Sequence, residues 1–245
     1  MLSSCSLFLQ NDWDAAQLVE AAGATLQAMS ITDAQVIALS QRTVAQQDAS
    51  NVLAPDSYQK RLARLLDGVG KINGMPVNYK VYKTSQINAF ACGDGSIRVY
   101  SGLMDIMSDN ELMAIIGHEC GHVAHQDSKK AMKQAYLTYA ARNVIGAAGG
   151  TVGAISNSVL GSIGESFIDS KYSQKQEYAA DDYGYEFAVS HGYSPYSLCD
   201  ALDKLVKLSS GSQASMVQKM FSSHPDSAER ARRIRAKADA ASRKK

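Results

Sequence analysis

Apolar residues recur at helical spacing over residues 12–28 and 33–47, and Tyr58, Leu62, Leu65, Leu66 and Val69 mark a third helix ending near Gly70. Three helix starts carry a capping residue with Gln or Glu three positions later: Thr32 with Gln35, Asp56 with Gln59, and Ser108 with Glu111. From Val77 the period changes. In VNYKVYKTSQINAFACGDGSIRVYSGLM the β-branched and aromatic residues fall in short runs, and GDG at 93–95 reads as a turn between two of them. This predicts a small antiparallel sheet. Ser108 then caps a helix that buries Leu112, Ile115, Ile116, Val123 and Ala124 along one side. Residues 140–165 are rich in Gly, Ala and Ser, but Arg142, Asn143 and Asn157 interrupt the run of about 20 apolar residues that a membrane-spanning helix needs. That stretch predicts a packed or mobile helix-loop segment, and no other stretch is apolar enough to span. The fold class expected is α+β, mainly helical, with an N-terminal helical extension over 1–55 and the main domain over 56–245.

The helix that Ser108 opens carries HECGHVAHQD at 118–127, with three of the five histidines of the chain. His118 and His122 are four apart and share a helical face, so both imidazoles can grip one Zn²⁺, and Glu119 beside them can act on a water as base. His125 returns to the same face but lies about 10.5 Å from His118 along the axis, too far for one ion. The longer pattern HExxHxxGxxH needs a glycine where His125 stands and a histidine where Ser128 stands. His125 is therefore expected to be a polar residue near the helix C-terminus, where partial protonation suits the dipole.

A catalytic zinc of this type needs a third protein ligand. QEYAADDYGYEF at 176–187 offers Glu177 and Asp181, four apart on one face: Glu177 can reach the metal while Asp181 accepts the outer N–H of a ligand histidine. Asp182 and Glu186 read as surface residues. Taken without any relative, His224 is a turn residue before a proline.

Composition narrows little. The chain has 245 residues, 45% hydrophobic and 20% charged, with 25 basic against 24 acidic side chains, so its charge calls for no nucleic-acid partner. Cys5, Cys92, Cys120 and Cys199 are scattered without a CxxC pair and make neither a thiolate site nor a disulfide framework. Cys120 reads as a core-facing thiol. The opening MLSSC matches the end of a bacterial lipoprotein processing box, yet only one residue precedes that match and no apolar h-region is present. Either the match is chance or a signal peptide lies upstream of Met1.

Three passages, INAFACGDGSIRVYSGLMDIMSDNELMAIIGHECGHVAHQDSKKAM, YSQKQEYAADDYGYEFAVSHGYSP and SSHPDSAERARRI, resemble the zinc metallopeptidase family that contains the heat-shock protease HtpX and the CAAX prenyl endopeptidases. Within it they resemble the soluble bacterial envelope branch, the LoiP- and BepA-type lipoproteins. The resemblance orders the chain from about residue 57 to 235 and implies a zincin-type fold with one zinc held by His118, His122 and Glu177, Glu119 as catalytic base and Asp181 in support. It adds His224, which either stabilises the oxyanion or caps the zinc in a closed form, and Arg230, six residues later. GDG stands where many members carry a PGG-like turn, which puts the detail of that hairpin in question. The function so implied is a zinc-dependent endopeptidase acting on unfolded or misassembled envelope proteins, whose extended chains add to an edge strand within 86–100. A zinc-containing assembly factor or chaperone with little proteolysis is the alternative. An exopeptidase is disfavoured because GMPVN at 74–78 lacks the acid that would hold a substrate amino terminus. The expected location is the bacterial periplasm, with membrane association through a lipidated Cys5. The basic tail 230–245 adds attraction to anionic lipid or stays a solvated helix end.

Overall fold

The computed structural model describes residues 32–142 and 156–243. The expected helix over 12–28, Cys5 and the 143–155 part of the Gly/Ala/Ser-rich stretch lie outside them. The first described helix, α1 (Asp33–Ser50), begins at the expected capping box: Thr32 N donates to Gln35 Oε1 at 2.8 Å and Gln35 N to Thr32 Oγ1 at 3.3 Å. Helix α2 (Asp56–Leu65) departs from expectation at both ends. Pro55, not Asp56, sits at its N-cap, and Gln59 instead bridges outward, its Oε1 accepting from Val81 N and its Nε2 donating to Val81 O. The helix stops before Gly70 because Gly68 takes φ +83°, a conformation open to glycine.

A two-stranded antiparallel hairpin, β1 (Lys71–Ile72) and β2 (Met75–Pro76), precedes a three-stranded sheet of β3 (Asn78–Tyr82), β4 (Ala89–Ala91) and β5 (Ser96–Tyr100), in the order β3-β5-β4. The antiparallel expectation holds for β4 and β5, which are joined through the GDG turn. It fails for β3, which runs parallel to β5 with Tyr79 opposite Ile97 and Val81 opposite Val99. Alternation identifies the residues that share a face but is the same for either strand direction, so the mixed sheet could not be read from it. At the turn, Gly95 has φ +86°, and a Cβ there would fall 2.4 Å from Pro76 O.

The sheet is buried on both faces. Val81, Ala89, Ala91, Ile97 and Val99 point to one side, where short α3 (Ser101–Ile106), α4 (Asp109–Ala124) and α2 cover them. Tyr82, Phe90 and Tyr100 point to the other, against α1, α5 (Asp127–Arg142) and α6 (Asn157–Ile168). On this second face Arg98, 2% exposed, donates through Nε to Asp48 Oδ1 of α1 at 2.8 Å, and Tyr82 and Lys80 add hydrogen bonds of 2.7 Å each. Burial raises the Asp48 carboxyl, but the bonds from Arg98, Lys80 and Tyr82 outweigh it and hold its pKa at about 2.

Four further helices complete the described chain: α7 (Gln174–Ser190), α8 (Ser197–Ser209), α9 (Ala214–Ser223) and α10 (Ser227–Ser242). A third apolar cluster, with Leu198, Leu202, Ile234 and Ala238, binds α7, α8 and α10 together. Helix α7 lies directly on α4. Glycines make that approach, since a Cβ at Gly184 would stand 2.8 Å from His118 N and one at Gly121 2.9 Å from Ala180 Cα. No described helix is long and apolar enough to cross a membrane.

Gly184→Ala should lower stability by about 1–3 kcal/mol, because overpacking against backbone outweighs the roughly 1 kcal/mol that alanine gains in helix propensity. Gly161→Ala on α6, where a Cβ meets nothing within 4 Å, should raise it. Denaturant midpoints compare the two, and a Gly184→Ala midpoint at or above wild type would contradict the close-packing argument. The Asp48 carboxyl is depressed from its ordinary 3.8, so its contribution is full above that pH and is lost as pH falls toward 2. Stability curves of wild type and Asp48→Asn should therefore converge across that window.

Candidate metal centre

The expected capping box starts α4: Ser108 N donates to Glu111 Oε2 at 2.7 Å and Glu111 N to Ser108 Oγ at 3.4 Å. From there every residue of 111–123 is buried. The apolar side expected from Leu112, Ile115 and Ile116 packs on the sheet, and the face bearing His118 and His122 is covered as well, by α7 and by the start of α10. The helix ends at His125, which is exposed; Gln126 turns the chain at φ +61° and Asp127 opens α5. His125 makes no approach to the other histidines, as its distance along the axis predicts.

Helix α7 has a capping box that sequence reasoning passed over, although Ser173 and Gln176 spell it. Glu177 stands in its first turn and Asp181 one turn later, both fully buried. His224 arrives from the C-terminal end of α9, and Arg230 from the second turn of α10. Four elements thus converge on one point.

The donor atoms of His118, His122, Glu177 and His224 all lie within 4.8 Å of one another. His118 Nε2 is 3.2 Å from His122 Nε2 and 3.3 Å from His224 Nδ1; Glu177 Oε1 is 3.3 Å from His122 Nε2 and 3.1 Å from His224 Nδ1. Donors about 2.1 Å from a tetrahedral ion stand about 3.4 Å apart, so three nitrogens and a carboxylate at these separations fit one metal ion.

Behind the donors lies a buried ionic cluster. Arg230, 1% exposed, grips Asp181 with Nε at 2.8 Å and Nη2 at 2.6 Å, and its Nη1 meets Glu177 Oε2. Asp181 Oδ1 in turn accepts from His118 Nδ1 at 2.9 Å. Burial raises the Asp181 carboxyl, yet Arg230 and His118 pull it down to about 2, and His224 and His122 hold Glu177 well below the usual carboxylate range despite its burial. Burial and the Arg230 charge push His118 down, toward the neutral form that can bind a metal. For His122, burial is overcome by Asp127 and Glu177, which raise it to about 9.

Asp127 is the residue that sequence reasoning missed. Its Oδ2 faces His122 Nδ1 at 3.4 Å, as Asp181 faces His118, and its place five residues after His122 was the available signal. Tyr172 was missed too; its ring stacks on His122 at 3.8 Å and 13°. Glu119, 2% exposed, keeps Oε1 without a hydrogen-bond partner among the described residues, with His224 Nε2 at 3.6 Å.

The model of peptidase family M48 matches residues 56–238. Metalloprotease LoiP of Escherichia coli (strain K12) is 47% identical over 225 residues, covering 91% of this chain and 88% of its own length. Metalloprotease YcaL of the same organism is 44% identical over 211 residues, covering 85% and 82%. A protease HtpX homolog of Ralstonia nicotianae is 27% identical over 183 residues, covering 67% and 60%. With the four-donor centre on the HExxH helix, these matches make the chain a metalloprotease belonging to peptidase family M48.

Proposed function

We propose that the protein is a zinc-dependent endopeptidase in which His118, His122 and Glu177 hold one Zn²⁺ per chain and Glu119 is the catalytic base. The observation that carries the reading is Glu119: a buried carboxylate oxygen with no hydrogen-bond partner among the described residues is costly, and here it stands beside four clustered metal-binding donors. Nitrogen and carboxylate donors in a four-coordinate arrangement favour zinc over the harder, oxygen-seeking cations. Bound there, zinc would polarise the scissile carbonyl and acidify a water molecule. Glu119 takes the proton of that water and passes it to the leaving amine. Asp181 keeps the His118 ring oriented, and Arg230 holds Asp181 and Glu177 in place. In the arrangement seen here His224 fills the fourth corner, which favours the capping role over oxyanion stabilisation for this closed form.

Substrates in this reading are unfolded or misassembled envelope proteins. Strand β4 is the edge at which an extended chain would add, having a neighbour on one side only among the described residues and lying against α4; Ala89, Phe90 and Ala91 are buried here, so that edge must be uncovered before a substrate pairs with it. We place the protein in the bacterial periplasm, held on a membrane by lipidated Cys5, on the strength of the MLSSC text. A zinc-containing assembly factor with little proteolysis is the rival. Cleavage of an unfolded polypeptide separates the two.

Glu119→Gln should lower that cleavage by roughly 10²–10⁴-fold while zinc stays bound, since glutamine keeps the volume but cannot take the proton. Equal cleavage by the variant would end the mechanism, and no cleavage by the wild type would favour the rival. Metal analysis makes a separate check: Glu177→Gln and His118→Ala should lose zinc, Asp181→Asn should bind it about 10–100-fold more weakly, and His125→Ala should keep it.

A further inference from the structure

Each ligand histidine has a carboxylate behind it, but the two are held differently. Asp181 is clasped by Arg230, whereas the partners of Asp127 given by the described residues are His122, Lys130 and Gln176. Its Oδ1 accepts from Gln176 Nε2 at 2.9 Å and lies 3.4 Å from Lys130 Nζ, whose side chain is 68% exposed and so contributes little. The other end of Gln176 is equally committed. Its Oε1 accepts from Ser173 N at 2.9 Å and from Ser173 Oγ at 2.8 Å, closing the capping box of α7. The amide orientation is thereby set from both sides, because a backbone N–H can only donate and an ionised carboxylate can only accept.

We propose that Gln176 is a positioning residue of the metal centre: its oxygen caps the helix that presents Glu177, and its nitrogen holds Asp127 behind His122. One side chain thus ties the start of α7, which presents Glu177, to the start of α5, whose Asp127 stands behind His122, and the inference rests on the reading of His122 and Glu177 as ligands. Tyr172 and Asp127 then restrain the His122 imidazole together, the stacked ring setting its plane and the carboxylate its direction within that plane. A glutamate would close the capping box as well as glutamine does. It has no N–H for Asp127, and it would set a second carboxylate against the first. Cap and positioning role are therefore separable by one substitution.

The test measures Zn²⁺ affinity by chelator competition, the visible spectrum of the Co²⁺-loaded protein, and thermal melting of the metal-free protein. Gln176→Glu should keep the capping box, melt somewhat below wild type when metal-free because the two carboxylates repel, bind Zn²⁺ about 10-fold more weakly or worse, and shift the cobalt absorption. Adding Asp127→Asn, which restores a donor opposite the new carboxylate, should recover part of the affinity. Gln176→Ala serves as a second variant, losing affinity and some metal-free stability together. Wild-type affinity and spectrum in Gln176→Glu would overturn the inference, as would a loss confined to metal-free melting. His122→Ala must lose tight binding in the same assay; if it does not, the ligand reading itself fails.

Discussion

The closeness of α4 and α7 is the constraint on which the rest of the structure depends. Glu177 is a short side chain for reaching two histidines on a neighbouring helix, and it does so only because the two backbones nearly touch. Gly184 lies against the backbone of His118, and Gly121 against that of Ala180. A Cβ at either point would stand under 3 Å from the facing backbone, so the packing that lets the helices meet is also what lets Glu177 reach the histidines.

That closeness has an electrostatic cost, and the cluster around Arg230 is how it is met. Glu177 and Asp181 are both fully buried, one turn apart, and would repel one another strongly without a cation. Arg230 bonds both, and its fork geometry leaves Asp181 free to accept from His118 Nδ1. The chain therefore brings α10 back over α7, and the same turn carries His224 into the donor set. The packing of the C-terminal helices therefore also completes the donor set.

Helix α1 precedes the stretch matched by the family model, yet it belongs to the core. It covers the second face of the sheet with α5 and α6, and its Asp48 supplies the carboxylate that meets the buried guanidinium of Arg98. A sheet covered on both faces is rigid, and α4 is seated on it. The N-terminal helix thus supports the centre from a distance, through β5.

Much of the centre was legible in the text because helical periodicity is local. The four-residue spacings of His118 with His122 and of Glu177 with Asp181 each identify one helical face, and the capping boxes at Thr32 and Ser108 mark their helices correctly. The rise per residue was enough to set His125 apart. Asp56 misled because a capping residue and a first-turn acid look alike without the backbone. The parallel pairing of β3 with β5 was hidden because alternation carries no direction. Asp127, Tyr172 and the second bond of Gln176 were hidden for a different reason: each acts across elements, and the turn at Gln126 that swings Asp127 under His122 has no spacing rule. Periodicity alone put His118 with His122 and Glu177 with Asp181 on shared helical faces, since the bonds within one helix decide that. Which carboxylate stands behind which histidine, and that His224 joins the donor set, follow instead from how separate helices meet.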